Sequence, residues 1–125
     1  LFNLYCYINS LTTLDVSTCT ALFDLDCSYN ALTTLDVSTC TALVTLYCYS
    51  NSLTTLDVTG CTALVTLYCE YNSMINTQVD NVLCDVDVNG SLGGTLTITY
   101  NAPPTVAGLA CAANLIGKGW AVNHD

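Results

Sequence analysis

The chain has 125 residues, of which ten are acidic and a single Lys118 supplies the only Lys or Arg charge, giving a formal net charge of −9; 52% of the residues are hydrophobic. That balance repels phosphate backbones and excludes nucleic acid as a partner at ordinary salt. Thr, Asp or Asn interrupts every apolar run, so no stretch reaches the ~18 to 20 apolar residues needed to span a membrane. The length suits one domain with one continuous core. Nine cysteines, with Thr, Ser, Asn and Tyr in place of Lys and Glu, favour an extracellular, cell-surface or virion-surface location.

From the first residue onward the chain repeats itself every 21 residues, most cleanly from Leu46 to Thr66. Each unit has two similar halves. One reads LxxLxCxxN, through Leu43, Leu46, Cys48 and Asn51; the other reads LxxLxVxxC, through Leu53, Leu56, Val58 and Cys61. Upstream the same frame holds through Leu22, Leu25, Cys27 and Asn30, then Leu32, Leu35, Val37 and Cys40. Before that come Leu1, Leu4, Cys6 and Asn9, then Leu11, Leu14, Val16 and Cys19. A short-period repeat of this kind marks a solenoid, because one unit cannot bury its apolar face without a neighbour.

L-x-C and L-x-V predict three-residue strands with the Leu and the Cys or Val inward and the residue between them outward. Stacked coils then make two parallel sheets in which equivalent residues form ladders ~4.8 Å apart. The Leu ladders fill the core, each buried Leu contributing roughly 1.5 to 3 kcal/mol before chain entropy. Asn9, Asn30, Asn51 and Asn72 sit where the chain leaves the strand and are placed to bond the backbone of adjacent coils. Cys19, Cys40 and Cys61 hold the equivalent corner of the other half, where a thiol donates weakly to a carbonyl.

These patterns closely resemble the leucine-rich repeat, LxxLxLxx[N or C]xL, over residues 1 to about 75. The LTTLDVSxCTAL wording is similar to the short repeats of bacterial, Bacteroidetes-type surface and secreted proteins and of phage virion proteins. The resemblance implies a mostly β, α/β right-handed solenoid with a recognition or scaffold role and no catalysis. Replacement of the strand Leu by Cys at positions 6, 27, 48 and 69 is a departure from the pattern.

The period fails after Met74, so residues 76–125 form a closing segment that continues the solenoid. Val79, Val82, Leu83 and Val86 are spaced as a helix, a turn follows from Asn89 to Gly94, and Thr95 to Tyr100 alternates as a strand. Asn101 to Pro104 reads as a loop, Thr105 to Ile116 as a second helix ended near Gly117 and Gly119, and Trp120 to Asn123 as a last strand. The wording NAPPTVAGLACAANLIGKGWAV is similar to closing segments of bacterial and phage leucine-rich-repeat proteins.

Catalytic chemistry is poorly provided for: the one histidine, His124, is a residue from the end, and no CxxC marks a metal site. Neither a cofactor nor a metal is expected. Asp15, Asp36 and Asp57 form an outward ladder whose mutual repulsion should raise their pKa values; a Ca²⁺ site there would lack a dedicated loop. Cys84 and Cys111, on successive helices of the closing segment, are the pair most readily bridged. Asn89-Gly90-Ser91 is an N-glycosylation sequon, meaningful where the source glycosylates proteins.

Binding surfaces are better provided for. Tyr5, Asp26, Tyr47 and Tyr68 form one outward ladder, and Tyr7, Ser28, Tyr49 and Glu70 the next. Five rigid amphipathic rings among carboxylates make a platform for a protein or glycan, although stacking of the same rings would also stiffen a parallel sheet. Thr20, Thr41 and Thr62 offer a short hydroxyl array of the type that could meet ice, but Gly60 interrupts the neighbouring Thr18 and Thr39 ladder. Residue 1 already lies in a repeat, which suits a mature processed chain or a fragment and leaves Phe2, Leu4, Cys6, Leu11 and Leu14 to be covered by something else. Pairing that edge with Trp120 and Val122 of another copy would be a head-to-tail contact that builds a filament. The sequence therefore favours a non-enzymatic extracellular structural protein that stacks into filaments, with a monomeric recognition or adhesion module using the tyrosine face as the alternative and ice binding as a remote one.

Overall fold

A computed structural model describes residues 1–125 as a single stack of short coils. Strands β1 (Asn3–Tyr5), β2 (Asp24–Asp26), β4 (Thr45–Tyr47) and β6 (Thr66–Tyr68) come from the first half of each repeat, and β3 (Thr34–Asp36) and β5 (Thr55–Asp57) from the second. Helix α1 (Asn76–Asn89), β7 (Gly94–Thr97), α2 (Val106–Gly117) and β8 (Trp120–Asn123) follow. One parallel sheet has six strands in the order β1-β2-β4-β6-β7-β8; the other has two, β3-β5. Register is one repeat per rung, with Leu4 beside Leu25, Leu46, Leu67 and then Leu96.

The repeat strands are centred on the Leu and end one residue before the Cys or Val, so β3 to β6 are T-L-Y or T-L-D, β1 is N-L-Y and β2 is D-L-D, rather than L-x-C or L-x-V. The pleat explains why inward and outward assignments survive this shift: Leu46 and Cys48 lie two apart and are fully buried, while Tyr47 between them is half-exposed. Twenty-eight apolar residues make one core, running from Val16 to Trp120.

Asparagine side chains tie the coils together. Asn30 Nδ2 donates to Cys27 O and Ser28 O of its own coil and to Cys6 O of the preceding one at 3.0–3.2 Å, while its Oδ1 accepts Leu11 N at 3.0 Å. Asn51 and Asn72 repeat the arrangement. Asn101, expected in a loop, is the next rung: it accepts Met74 N at 3.1 Å and donates to Cys69 O and Ile98 O. Asn9 bonds only carbonyls of its own coil, Cys6 and Tyr7.

The other corner uses sulfur and then nitrogen. Cys40 Sγ lies 3.6 Å from Val16 O and Cys61 Sγ 3.2 Å from Val37 O. Asn89 takes the next rung, its Nδ2 donating to Val58 O at 2.9 Å and Cys61 O at 3.3 Å. Any glycan on the Asn89 sequon would have to displace these bonds, so the structure assigns this amide to holding α1 on the repeats. Gln78, near the other end of α1, donates to Leu56 O at 3.3 Å. The helix thus satisfies carbonyls along β5 that a further strand would otherwise have taken. Gly60 interrupts the threonine ladder for a steric reason, since a Cβ there would lie 1.8 Å from Ser38 O.

The closing helices are fastened to each other. Cys84 and Cys111 form a disulfide with Cα atoms 5.0 Å apart. Thr105 caps α2 and donates its backbone N–H and hydroxyl to Asp80 of α1. Lys118 Nζ reaches Asp87 O and Oδ1 at the end of α1, a cation at a helix C-terminus. The sequence suggests an open edge at Trp120, but the residue is 3% exposed, and its indole packs over Gly94 and donates to Ser91 O at 2.9 Å. Val122 is partly buried against the same core, so β8 presents backbone rather than apolar side chains at the sheet edge.

Two outcomes follow. Asn51→Ala strands a buried N–H and several carbonyls and should lower unfolding free energy in urea by about 3 kcal/mol, whereas Asn9→Ala, which loses no inter-coil bond, should lower it by less than ~1 kcal/mol; equal losses would refute the bridging role. Iodoacetamide without reductant should label half-exposed Cys6 and Cys19 in the native protein and leave Cys27, Cys40, Cys48, Cys61 and Cys69 unmodified. Denaturant should then open all seven free thiols, and only reduction the remaining pair. Burial, reinforced by neighbouring thiols, pushes Cys27 and Cys61 up to about 12, so the unlabelled set lacks thiolate as well as access. Mass spectrometry of the native sample showing alkylated Cys48 would count against a closed core.

Candidate functional site

The outward face of the six-stranded sheet gathers every tyrosine in the chain, eight in all. Tyr5, Tyr47 and Tyr68 stand in the strand row with Asp26, in the register that places Tyr5 beside Asp26, Asp26 beside Tyr47 and Tyr47 beside Tyr68. Tyr7 and Tyr49 stand in the next row with Ser28 and Glu70, linked by the bonds Ile8 N to Ser28 O, Tyr29 N to Tyr49 O and Ser50 N to Glu70 O. The sequence pointed to these five rings and missed three more.

Tyr29, Tyr71 and Tyr100 occupy the corner just before each bridging Asn, in line with Ile8 and Ser50. All five corner residues have φ between 53° and 56°. That left-handed backbone suits Gly or Asn and is strained for a bulky side chain. It turns the chain away from the sheet and leaves Tyr29, Tyr71 and Tyr100 more than half exposed. The signal was available in the sequence as the residue preceding each ladder Asn, but period-two alternation does not reach a corner.

The rings touch. Tyr47 and Tyr68 lie 5.2 Å apart, Tyr29 meets Tyr49 edge-on at 5.3 Å, and Tyr71 stacks on Tyr100 at 4.0 Å with planes 9° apart. Stacking between neighbours therefore stiffens the sheet, and the outer faces and corner rings stay open to solvent. Ser28, set in the ladder as an outward residue, is buried, because its hydroxyl turns back to Asp26 Oδ1 at 2.6 Å.

Carboxylates are set among the rings. Tyr5 Oη donates to Asp24 Oδ2 at 2.6 Å, and this bond is the main reason the Tyr5 phenol is raised above its ordinary pKa. Asp24 Oδ1 and Glu70 Oε2 are buried with no hydrogen-bond partner. Burial raises the Glu70 carboxyl above its usual range.

The opposite side differs. Asp15 and Asp36, expected to be raised by mutual repulsion, are instead held low, chiefly by the Ser17 and Ser38 side chains and then by their backbone N–H groups. A local two-residue turn outweighs a like charge one rung away. Between this sheet and α1 lies a polar groove of about 530 Å³ lined in part by Asp36, Asp57, Gln78 and Asp85. Burial, and then the Asp57 charge, raises Asp85. His124 follows β8, with Nδ1 2.8 Å from Asp125 O. No helix is long and apolar enough to cross a membrane.

Glu70→Gln tests the electrostatics of the tyrosine face. A carboxyl whose folded pKa lies above its unfolded value loses stability as pH rises through that interval. The variant should therefore be more stable than the parent at pH 7, and the two should converge at pH 3, in urea titrations at both values; a gain that persists at pH 3 would exclude the burial of charge as its cause.

No protein-family model matches the chain, and no curated protein is similar to it in sequence. In structure the chain is similar to the functional domain of InlJ from Listeria monocytogenes, described as including a cysteine ladder, with a TM-score of 0.76 and 24% identity. The match covers 100% of this chain and 30% of that one, so this chain spans less than a third of its length. Here the buried Cys27, Cys48 and Cys69, with half-buried Cys6 ahead of them, form such a ladder in the same inward row. Parallel Leu-centred strands at one rung per repeat, Asn or Cys at each corner and a structural match over the whole of this chain establish the fold as that of the leucine-rich-repeat solenoids.

Proposed function

We propose that the chain is a non-enzymatic recognition or adhesion module, working outside the cell or on a cell or virion surface, that takes a protein or glycan ligand on the tyrosine face. The observation that carries this reading is the segregation of all eight tyrosines to one side of the solenoid, three of them at strained corners. Tyrosine offers a large amphipathic contact at low entropic cost. The Cys84–Cys111 bridge fits an oxidising, extracellular setting.

Head-to-tail stacking into filaments receives less support. Free strand edges exist at β1 and β8, but the Trp120 side chain belongs to the core and is not offered to a neighbouring copy. Ice binding has a short threonine array and an interrupted neighbouring ladder in its way.

The test is a variant with Tyr47→Ser, Tyr49→Ser and Tyr68→Ser, probed beside the parent on arrays of glycans and of surface-protein ectodomains. The parent should give discrete signals that the variant loses, with far-ultraviolet circular dichroism unchanged. Signals of equal strength from both proteins would reject this face.

A further inference from the structure

Resting on the recognition reading of this face, we propose that its ligand is an extended cationic protein segment that lays arginine or lysine side chains over the tyrosine rings and beside Asp26 and Glu70. The charge distribution argues for it first. Lys118, the one Lys or Arg, is held by Asp87 between α1 and α2. Asp24, Asp26 and Glu70 therefore share the aromatic face with no basic side chain to neutralise them.

Their hydrogen bonding argues for it next. Asp24 receives the Tyr5 hydroxyl on one oxygen and nothing on the other, and Glu70 Oε2 has no donor at all; both orphan oxygens are buried, so a ligand meets their charge rather than bonding them. Asp26 Oδ1 takes the Ser28 N–H and hydroxyl, leaving its second oxygen free of protein donors. Half-buried carboxylates without donors are poorly screened and project a negative field over the rings. A guanidinium supplies several N–H donors in one plane and stacks on an aromatic face. Each such contact over an exposed ring is worth about 0.5 to 1 kcal/mol.

The rings themselves complete the argument. Their outer faces are electron-rich, and Tyr29, Tyr49, Tyr47 and Tyr68 adjoin one another with centroids 5.3, 6.5 and 5.2 Å apart, so a cation laid on the cluster has several ring faces within reach. An acidic peptide, or a sialylated or sulfated glycan, meets the same carboxylates as a repulsion. A neutral glycan can donate hydroxyls to them but leaves their charge uncompensated.

Calorimetry with a synthetic peptide alternating arginine and threonine, and with its citrulline counterpart in which each guanidinium is replaced by a neutral urea, tests the assignment on the intact chain. The arginine peptide should bind, and the citrulline peptide should bind at least roughly tenfold more weakly, the equivalent of two or three lost cation contacts. Asp26→Asn with Glu70→Gln should weaken the arginine peptide by a similar factor. Asp36→Asn with Asp57→Asn, which removes the same charge from the opposite sheet, should leave it unchanged. Equal binding of the two peptides, absence of binding, or equal loss in both paired variants would overturn the proposal. Retention of a neutral chito-oligosaccharide that is lost in the Tyr47, Tyr49 and Tyr68 serine variant but kept in the Asp26 and Glu70 variant would overturn the cationic assignment and leave the recognition reading standing.

Discussion

The asparagine bridge between coils is the constraint on which the rest of the molecule depends. A corner that leaves a parallel strand exposes backbone N–H and C=O groups to an apolar interior, and no further strand pairing can reach them. One amide, with a donor and an acceptor end, serves both its own coil and the preceding one. Because that geometry requires the next coil in fixed register, every ladder in the core follows from it: Leu over Leu, Cys over Cys, tyrosine row over tyrosine row. The left-handed residue ahead of each Asn is part of the same device, since it aims the amide inward.

The placement of the closing segment obeys the same accounting of polar groups. Asn101 and Asn89 continue the two corner ladders after intervals of 29 and 28 residues, where the repeat uses 21. Both intervals contain α1, which takes the place of the β3-β5 type of strand, and α2 does the same in the coil between β7 and β8. Two longer coils can thus stack on short ones without leaving the last repeat's carbonyls unpaired, and the disulfide, the Asp80–Thr105 bonds and the Lys118–Asp87 pair hold the two helices as a unit.

Most of the architecture was legible in the sequence because a ladder repeats its own information: four copies of Leu, Cys and Asn at one spacing leave little freedom of register. Residues outside that copying were harder to place. Asn101 and Asn89 keep their roles across altered intervals, and only the backbone shows that they are rungs. Tyr29, Tyr71 and Tyr100 sit in corners, where alternation does not assign a side. Ladder spacing suggests repulsion at Asp15 and Asp36, whereas a serine two residues onward supplies a closer and stronger partner. Trp120 looked like an edge residue because it lies in the last strand; Gly94 beneath it leaves the hollow that draws the indole inward.

The two sides of the solenoid treat their carboxylates differently, and the contrast bears on function. Asp15, Asp36 and Asp57 on the two-stranded side each close a local turn with a hydroxyl residue two positions on, or with its N–H. On the six-stranded side Asp24 and Glu70 keep oxygens with no partner, and tyrosine occupies corners that glycine or asparagine would hold with less strain. Core packing gains nothing from either feature, since both lie outside the Leu and Cys ladders. Unfavourable local features concentrated on one surface, against a scaffold that otherwise satisfies its polar groups, support the binding face proposed above. The repeat supplies the rigidity that makes those features tolerable: the strained Tyr29 corner is braced by the four bonds of the Asn30 amide that follows it.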